Sequence, residues 1–191
     1  MNIFEIELGK QLRQMSQHSV GHQLADLLKS YGWKVLGRGS EAAVAEHPRK
    51  PYVLKIWPAY SGYTKFVSMV QTSPNPHFPK FSRVQSRIPG TGFNYVRMEK
   101  LLPVAQYDLL VDMQDCFCVL KNILEKTGDP VPDWIQTNQD HIQCAPMTPQ
   151  AREVVSTIVK LRRKIGANKL DLWPRNIMRR GNVWVITDPV L

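Results

Sequence analysis

The sequence predicts an α+β protein built of two small lobes. Short strand-like segments broken by glycine turns occupy residues 33–98. Longer stretches with helical spacing of apolar residues follow at 104–165, and a short hairpin comes near the end of the chain at 177–186. Strands that are grouped apart from helices are typical of an α+β fold rather than an alternating α/β fold.

The chain length sets bounds on this architecture. With 191 residues, the chain supports one domain or two small lobes that share a cleft. We predict an N-terminal helical extension at 1–31, a sheet lobe with a glycine loop and a lysine strand at 32–102, and a minimal helical lobe at 103–191.

The charge of the chain is its most unusual bulk property. Hydrophobic residues make up 43% and charged residues 21%, which suits a packed globular core. The net charge of +9 predicts attraction to polyanions such as nucleotides, acidic protein surfaces or nucleic acid. Nucleic acid is the weakest of these partners, because no nucleic-acid-reading motif is recognisable. The sequence shows no signal peptide and no segment of membrane-spanning length, so we expect no membrane partner.

The three cysteines, Cys116, Cys118 and Cys144, show neither metal-binding spacing nor a disulfide framework. Cys116 and Cys118 lie in an apolar, helix-like run and are predicted to be buried thiols. A reducing cytoplasm is therefore the expected compartment.

The first lobe is predicted to open with helices. Residues 3–30 carry apolar side chains at helical spacing, which predicts two helices broken near 19–21. The spacing then changes, and residues 33–36 and 42–45 predict two strands on either side of a glycine turn.

That turn is Gly37-Arg38-Gly39-Ser40, within a G-x-G-x-x-A-x-V pattern that ends at Val44. Its glycines would let backbone amides approach phosphates without a Cβ in the way. Any hairpin can carry such glycines, so the pattern gains weight only from the strand that follows.

The following strand, 52–57, carries one lysine, Lys55, between Val53 and Trp57 on the same face. These apolar neighbours predict a buried face with a single charge, which fits a lysine that holds nucleotide phosphates. The alternative is a strand lysine that points to solvent.

The helix predicted next, at 61–71, offers no acidic partner for Lys55. No Asp or Glu occurs at positions 47–98. Three partners stay open: Gln71, an acid from the N-terminal helices, or the nucleotide phosphates together with Asp188.

Residues 81–88 and 93–98 predict an antiparallel pair that leads into Met98, Glu99 and Leu101. An apolar residue, an acid and a leucine that lead off a strand fit a hinge whose backbone hydrogen-bonds adenine. An ordinary strand end with a turn explains these residues equally well.

The second lobe is predicted to be mainly helical. Residues 104–126 predict a long helix broken once, followed by a loop at 127–132. Another helix is predicted from Pro149, behind a capping Thr148, to Ile165.

The segment after this helix holds the strongest functional pattern. Asp171 is followed five residues later by Asn176, and Asp188 follows the predicted hairpin. This arrangement is the pattern of a phosphoryl-transfer site. One carboxylate orients the attacking hydroxyl, while an amide oxygen and a second carboxylate hold Mg²⁺, which prefers oxygen ligands. An isolated Asp-x-x-x-x-Asn could equally be a surface loop.

Together these segments resemble the serine/threonine protein kinases made early in infection by short-tailed coliphages, small bacterial effector and toxin kinases, and kinase-like domains in general. The matching residues are 32–44, 53–55, 171–178 and 186–190. The resemblance implies a two-lobed protein-kinase-like fold, ATP and Mg²⁺ as cofactors, and protein hydroxyls as acceptors, in the cytoplasm of a host.

The same resemblance implies roles for individual residues. Asp171 and Lys55 would be catalytic, and Asn176 and Asp188 would hold the metal. The implied nucleotide site is lined by Gly37, Arg38, Gly39, Ser40, Val44, Val53, Lys55, Met98, Glu99, Leu101 and Met178.

Two departures from the kinase pattern bear on regulation. Leu170 stands where regulated kinases carry an arginine that reads a phosphorylated activation segment, and the sequence ends soon after Asp188. We therefore expect a minimal kinase whose activity needs no prior phosphorylation but depends on residues 3–30.

Two other functions stay open. The run 171–176, Asp-Leu-Trp-Pro-Arg-Asn, resembles the Asp-Leu-His-Pro-x-Asn of antibiotic and choline kinases, although those enzymes usually carry a longer, acidic C-terminal part. A pseudokinase that only binds its ligand would suit the missing acidic partner of Lys55.

Overall fold

The structure is a computed structural model, and it describes residues 20–39, 41–81, 86–88, 90–166 and 170–190. The first of the two predicted N-terminal helices lies outside these residues. The chain divides into two compact units. As far as each is described, the first comprises Met1–Ser68 and Lys80–Lys100, and the second comprises Met69–Pro79 and Leu101–Leu191. The three predicted segments stay a prediction.

An antiparallel sheet is the framework of the first unit. Its strands are β1 (Lys34–Arg38), β2 (Ala43–Glu46), β3 (Tyr52–Pro58), β4 (Ser86–Arg87) and β5 (Phe93–Glu99), in the order β1-β2-β3-β5-β4. The strands around the glycine turn and the lysine strand are thus present where the sequence predicts them. β4 is shorter than the predicted strand, whose residues 82–85 lie outside the described part, and Phe81 makes an isolated bridge to Met98.

Helix α1 (Val20–Ser30) covers one face of this sheet. Leu24, Ala25 and Leu28 recur at helical spacing and are fully buried. The sheet residues that they pack against are Ala43, Ala45, Leu54 and Ile56. Because successive side chains of a strand point to opposite faces, the residues between these four face away from α1.

Helix α2 (Tyr63–Thr72) follows β3 and confirms the helix predicted at 61–71. The remaining helices are α3 (Gln106–Val111), α4 (Gln114–Thr127), α5 (Asp133–Gln136) and α6 (Pro149–Ile165). The single break predicted within 104–126 falls between α3 and α4. Helix α5 was not predicted, because four residues are too few to show a helical period. No helix in the described part is long and apolar enough to cross a membrane.

Helix α6 begins and ends where its sequence signals lie. The Thr148 hydroxyl accepts a hydrogen bond from Ala151 N at 3.2 Å, and Pro149 occupies the first helical position. The helix ends at Gly166, whose φ of +62° favours glycine.

A second, three-stranded antiparallel sheet carries the predicted hairpin. It consists of β6 (Leu102–Pro103), β7 (Ile177–Arg180) and β8 (Val183–Ile186). The turn between β7 and β8 contains Gly181 at φ +58°, which explains why glycine stands there.

The loop after α2 is fastened to this hairpin through His77. The His77 ring stacks on Trp184 with ring centroids 3.8 Å apart, and its Nδ1 lies 3.0 Å from the Trp184 carbonyl oxygen. Ile186 N donates to the His77 carbonyl at 2.9 Å. Trp184 Nε1 donates to Asp115 at the start of α4 at 2.6 Å, so loop, hairpin and helix are joined.

The fold class is the predicted one, α+β, with a small antiparallel sheet unit and a mainly helical unit. The expectation of no disulfide, with Cys116 and Cys118 as buried thiols, is wrong for Cys118 and right for Cys116. Cys118 of α4 and Cys144 form a disulfide, whereas Cys116 is a buried free thiol. Because Cys144 lies 26 residues away in a segment without helical or strand periodicity, the sequence did not suggest that the two would meet. The cysteine argument for a reducing compartment therefore no longer holds.

Candidate phosphoryl-transfer site

The predicted site residues are divided between the two units. The first unit holds the glycine turn, Lys55 and most of the hinge segment. The second holds Leu101, Met178 and the polar residues of the predicted catalytic loop. Ser40 lies outside the described residues.

Four of the predicted nucleotide contacts share one face of the five-stranded sheet. Val44 pairs with Lys55, and Val53 pairs with Met98, in the antiparallel register. Directly opposed residues project to the same face, and Val53 and Lys55 are two residues apart on β3. This is the face opposite α1, because the alternate residues of β2 and β3 pack against that helix.

The glycine turn begins later than the predicted range 37–40. Gly37 and Arg38 belong to β1, and the chain reverses after Gly39, whose N–H donates to the Ala42 carbonyl at 2.8 Å. A Cβ added at Gly37 or Gly39 would meet no atom within 4 Å, and φ is positive at neither. The described fold therefore does not require glycine at either position, whereas a ligand that approached the backbone closely would.

Gly21 of α1 supports this turn and was not recognised from the sequence. A Cβ built on Gly21 would overlap the Gly39 carbonyl oxygen and would lie 3.1 Å from the Ala42 carbonyl oxygen. Only glycine permits the helix to approach the turn so closely, so α1 fixes the position of the turn.

Lys55 is buried, with 5% of its surface exposed, and its ammonium lies 3.5 Å from the ring centroid of Tyr63. Tyr63 is the first residue of α2, and its ring packs edge-on to Trp57 at 4.9 Å. A cation over an aromatic face is stabilised by about 2 kcal/mol when both are desolvated. The helix thus presents an aromatic ring to Lys55. Tyr63 was not predicted as a partner of Lys55, because the expected partners of a buried lysine are acidic or polar side chains.

At the predicted hinge, both the backbone and the side chain of Glu99 form hydrogen bonds with the backbone of Lys80. Its N–H donates to the Lys80 carbonyl at 3.1 Å, and its Oε1 accepts a hydrogen bond from Lys80 N at 2.7 Å. These bonds hold the end of β5 to the segment before β4.

In the second unit, hydrogen bonds hold the predicted catalytic loop against the end of the hairpin. Asp171 N donates to the Pro189 carbonyl at 3.0 Å, and Asn176 Nδ2 donates to the Asp171 carbonyl at 2.7 Å. The Asn176 carbonyl accepts hydrogen bonds from the N–H and the hydroxyl of Thr187, each at 2.9 Å. Asp188 lies between Thr187 and Pro189, so these bonds gather Asp171, Asn176 and Asp188 in one place.

Arg175 contacts the carboxylate of Asp171 directly. Its Nη2 donates to the two carboxylate oxygens at 3.0 and 3.3 Å. Asp171 is buried and Arg175 is largely exposed. No role was predicted for Arg175, although its position four residues after Asp171 is a sequence signal for an ion pair.

The loop offers an amide oxygen and a carboxylate for a metal ion. Because Asn176 Nδ2 is bonded to the Asp171 carbonyl, Oδ1 is the Asn176 atom that can serve as a ligand. Asp188 adds a half-buried carboxylate. Such oxygen donors fit Mg²⁺, which takes its other ligands from phosphates and water. In the described ranges, no group of three His, Cys, Asp or Glu side chains is placed to hold a metal.

No protein-family model matches the chain, and no curated protein is significantly similar to it in sequence. Comparison with solved structures finds the streptomycin–ATP–APH(2″)-IIa ternary complex at TM-score 0.40 and 12% identity, over 87% of this chain and 69% of the other. The ADP-bound aminoglycoside phosphotransferase APH(2″)-Ib gives 0.40 and 11%, with the same coverage. A thermostable mutant of the aminoglycoside phosphotransferase APH(4)-Ia, in its apo form, gives 0.36 and 14%, over 86% and 69%.

Proposed function

We propose that this chain is an ATP- and Mg²⁺-dependent phosphotransferase whose acceptor is a serine or threonine hydroxyl of a protein. The observation that carries the proposal is the hydrogen-bonded gathering of Asp171, Asn176 and Asp188. A buried carboxylate beside a metal-holding amide and a second carboxylate is the set of groups that phosphoryl transfer needs.

In this proposal Asp171 orients the acceptor hydroxyl and accepts its proton as the oxygen attacks the γ-phosphorus of ATP. As the new P–O bond forms, the bond from the γ-phosphorus to the β,γ-bridging oxygen breaks, and ADP leaves with that electron pair. Asn176 Oδ1 and the Asp188 carboxylate would hold Mg²⁺, which neutralises charge on the phosphate oxygens.

The first unit would bind the nucleotide. The buried ammonium of Lys55 is suited to the α- and β-phosphates, because a desolvated charge interacts strongly with an anion. The absence of a Cβ at Gly37 and Gly39 would let the phosphates approach the backbone closely, and Val44, Val53 and Met98 give the same sheet face an apolar surface for the base.

The acceptor class rests on less specific features. The resemblance to early phage kinases and the net charge of +9 favour a host protein with an acidic surface. A small-molecule acceptor is the second candidate, because the run 171–176 resembles the corresponding loop of antibiotic and choline kinases. The basic charge disfavours cationic acceptors of that kind.

Incubation with γ-labelled ATP and Mg²⁺ tests the proposal. The protein is offered a bacterial lysate in one reaction and a mixture of an aminoglycoside and choline in another, with Asp171→Asn as the matched control. We expect label in proteins with the wild-type chain and none with the variant. Label in the small molecules alone would contradict the protein-kinase proposal, and no transfer and no ATP hydrolysis would contradict phosphotransfer altogether.

A further inference from the structure

Arg175 and Trp173 are exposed residues of the loop that carries the proposed catalytic carboxylate, Asp171. The Arg175 side chain is 68% exposed, whereas that of Asp171, to which it is bonded, is 10% exposed. Trp173 is 39% exposed, and its ring centroid lies 5.8 Å from the guanidinium carbon. Arg175 and Trp173 are therefore exposed residues beside the buried carboxylate, where an acceptor can contact them.

The bond from Arg175 competes with the role proposed for Asp171. Both carboxylate oxygens accept a hydrogen bond from the same Nη2, at 3.0 and 3.3 Å. An acceptor hydroxyl must share or displace this donor before it can bond to the carboxylate. Because the Arg175 side chain is 68% exposed, an anionic group of the acceptor can compete with Asp171 for its guanidinium.

The charges between Asp171 and Asp188 indicate which kind of acceptor would supply the competing anion. Between Asp171 and Asp188 the chain has no acidic residue and three arginines, Arg175, Arg179 and Arg180. Arg180 donates to main-chain carbonyls and so has a structural role. Arg175 is the exposed guanidinium in contact with the reactive carboxylate, so a cationic acceptor meets a like charge there and an acidic acceptor an opposite one.

We propose that Arg175 and Trp173 form an acceptor-recognition site for a serine or threonine that neighbours an acidic side chain in a protein. The acidic side chain of the acceptor forms an ion pair with the Arg175 guanidinium in place of Asp171. The Asp171 carboxylate is then able to accept a hydrogen bond from the hydroxyl. Trp173 supplies an apolar surface beside it. Arg175 is thus a positioning residue that couples acceptor binding to the exposure of Asp171. This inference rests on the proposed function and specifies its substrate class.

Three serine peptides of equal length test this inference, with Asp, Ala or Lys on either side of the serine. kcat/KM with ATP and Mg²⁺ is measured for the wild type, Arg175→Lys, Arg175→Glu and Arg152→Glu. Arg152 is exposed in the first turn of α6, so its variant makes the same charge change away from the loop.

We expect the kcat/KM of the wild type to be at least about fivefold higher for the Asp peptide than for the Lys peptide, the factor that an ion pair worth about 1 kcal/mol supplies. The Arg175→Lys and Arg152→Glu variants should keep the preference, and Arg175→Glu should invert it.

Binding of the same peptides, measured by fluorescence anisotropy of labelled copies, does not depend on turnover. If the Asp peptide binds more tightly than the others and only Arg175→Glu loses this preference, the result supports the site. Lack of phosphate transfer in the same protein would contradict the proposed function but not the site. An active enzyme without acidic preference, or equal losses in Arg175→Glu and Arg152→Glu, would overturn the inference and leave the proposed function standing.

Discussion

At the residue scale, Lys55 shows how this chain buries a charge on a sheet face. Its neighbours Val53 and Trp57 are buried, and Lys55 itself is only 5% exposed. The ring of Tyr63 lies 3.5 Å away and offers its electron-rich face. The ring holds the ammonium in place on the face where the nucleotide phosphates are proposed to bind.

A double-mutant cycle measures this contact. Tyr63→Leu removes the aromatic face and Lys55→Met removes the charge, and each variant and their combination are unfolded in urea. We expect a coupling free energy of about 1–2 kcal/mol between the two substitutions, the size of a desolvated cation–π contact. Tyr63→Phe, which keeps the ring, should retain most of the coupling. Purely additive effects of Tyr63→Leu and Lys55→Met would show that the ring does not hold the ammonium.

At the element scale, helix α1 connects the N-terminal segment to the glycine turn. Its apolar face forms one core with β2 and β3, and Gly21 lies against the Gly39 carbonyl. The expected dependence of activity on residues 3–30 thus has a physical basis in the described part of that segment. Loss of α1 would expose the sheet core and leave the turn without support.

Gly21→Ala tests the support of the turn. Helix propensity alone would make alanine stabilising, whereas overlap with the Gly39 carbonyl should cost about 1–3 kcal/mol. We expect lower stability and weaker ATP binding, measured by urea unfolding and by isothermal titration calorimetry. Gly37→Ala is the matched variant. A Cβ has space at this position in the fold, so stability should be unchanged. The same Cβ would lie between the backbone and the phosphates, so ATP binding should weaken. A stabilised Gly21→Ala protein with unchanged ATP affinity would contradict this account of α1.

The loop that carries His77 should make stability depend on pH. Burial lowers the pKa of His77 below its ordinary 6.5, with Asp115 opposing the shift and Arg180 adding to it. The unfolded chain therefore binds a proton at pH values where the folded chain does not. The contribution of His77 to stability is complete above pH 6.5 and is lost as the pH falls through the lowered pKa. We expect the wild type to lose more stability than His77→Gln between pH 7.5 and 5.5 in urea unfolding. Parallel losses would show that His77 is not the group responsible.

The disulfide between Cys118 and Cys144 closes a loop of 26 residues before α6. Closure of a loop of this length lowers the entropy of the unfolded chain and should stabilise the fold by about 3–4 kcal/mol. Reductant should therefore lower Tm in the wild type and leave the Tm of Cys144→Ser unchanged. A thiol titration in denaturant should find one free thiol per chain, that of Cys116. Three free thiols in that titration, without reductant, would contradict the bond.

At the scale of the whole molecule, local sequence signals predicted the elements well. The Thr148 cap, the Gly166 terminus and the glycine of the β7–β8 turn each act through the backbone of a few neighbouring residues, so the sequence displays them directly. The loop 171–176 and its pairing with the hairpin end follow from spacing for the same reason.

Contacts between residues distant in sequence were not predictable in this way. The ring of Tyr63 over Lys55, the approach of Gly21 to Gly39 and the disulfide each depend on packing rather than on a local pattern. The ion pair of Arg175 with Asp171 was predictable, since a guanidinium four residues from a carboxylate can pair with it. That the carboxylate is buried and the guanidinium exposed is known only from the structure.

The rate of phosphate transfer from ATP in the Asp171→Asn and Asp188→Asn variants tests the proposed site most directly. Both substitutions keep the side-chain shape and remove the charge, and urea unfolding verifies that each variant remains folded. We predict that the wild type transfers phosphate and that each variant is slower by at least about a thousandfold, because hydroxyl orientation and metal binding supply most of the rate in phosphoryl transfer. Asp140→Asn, an exposed acid outside the loop, should transfer at the wild-type rate. A folded Asp171→Asn or Asp188→Asn protein that transfers phosphate as fast as Asp140→Asn would contradict the assignment of the site.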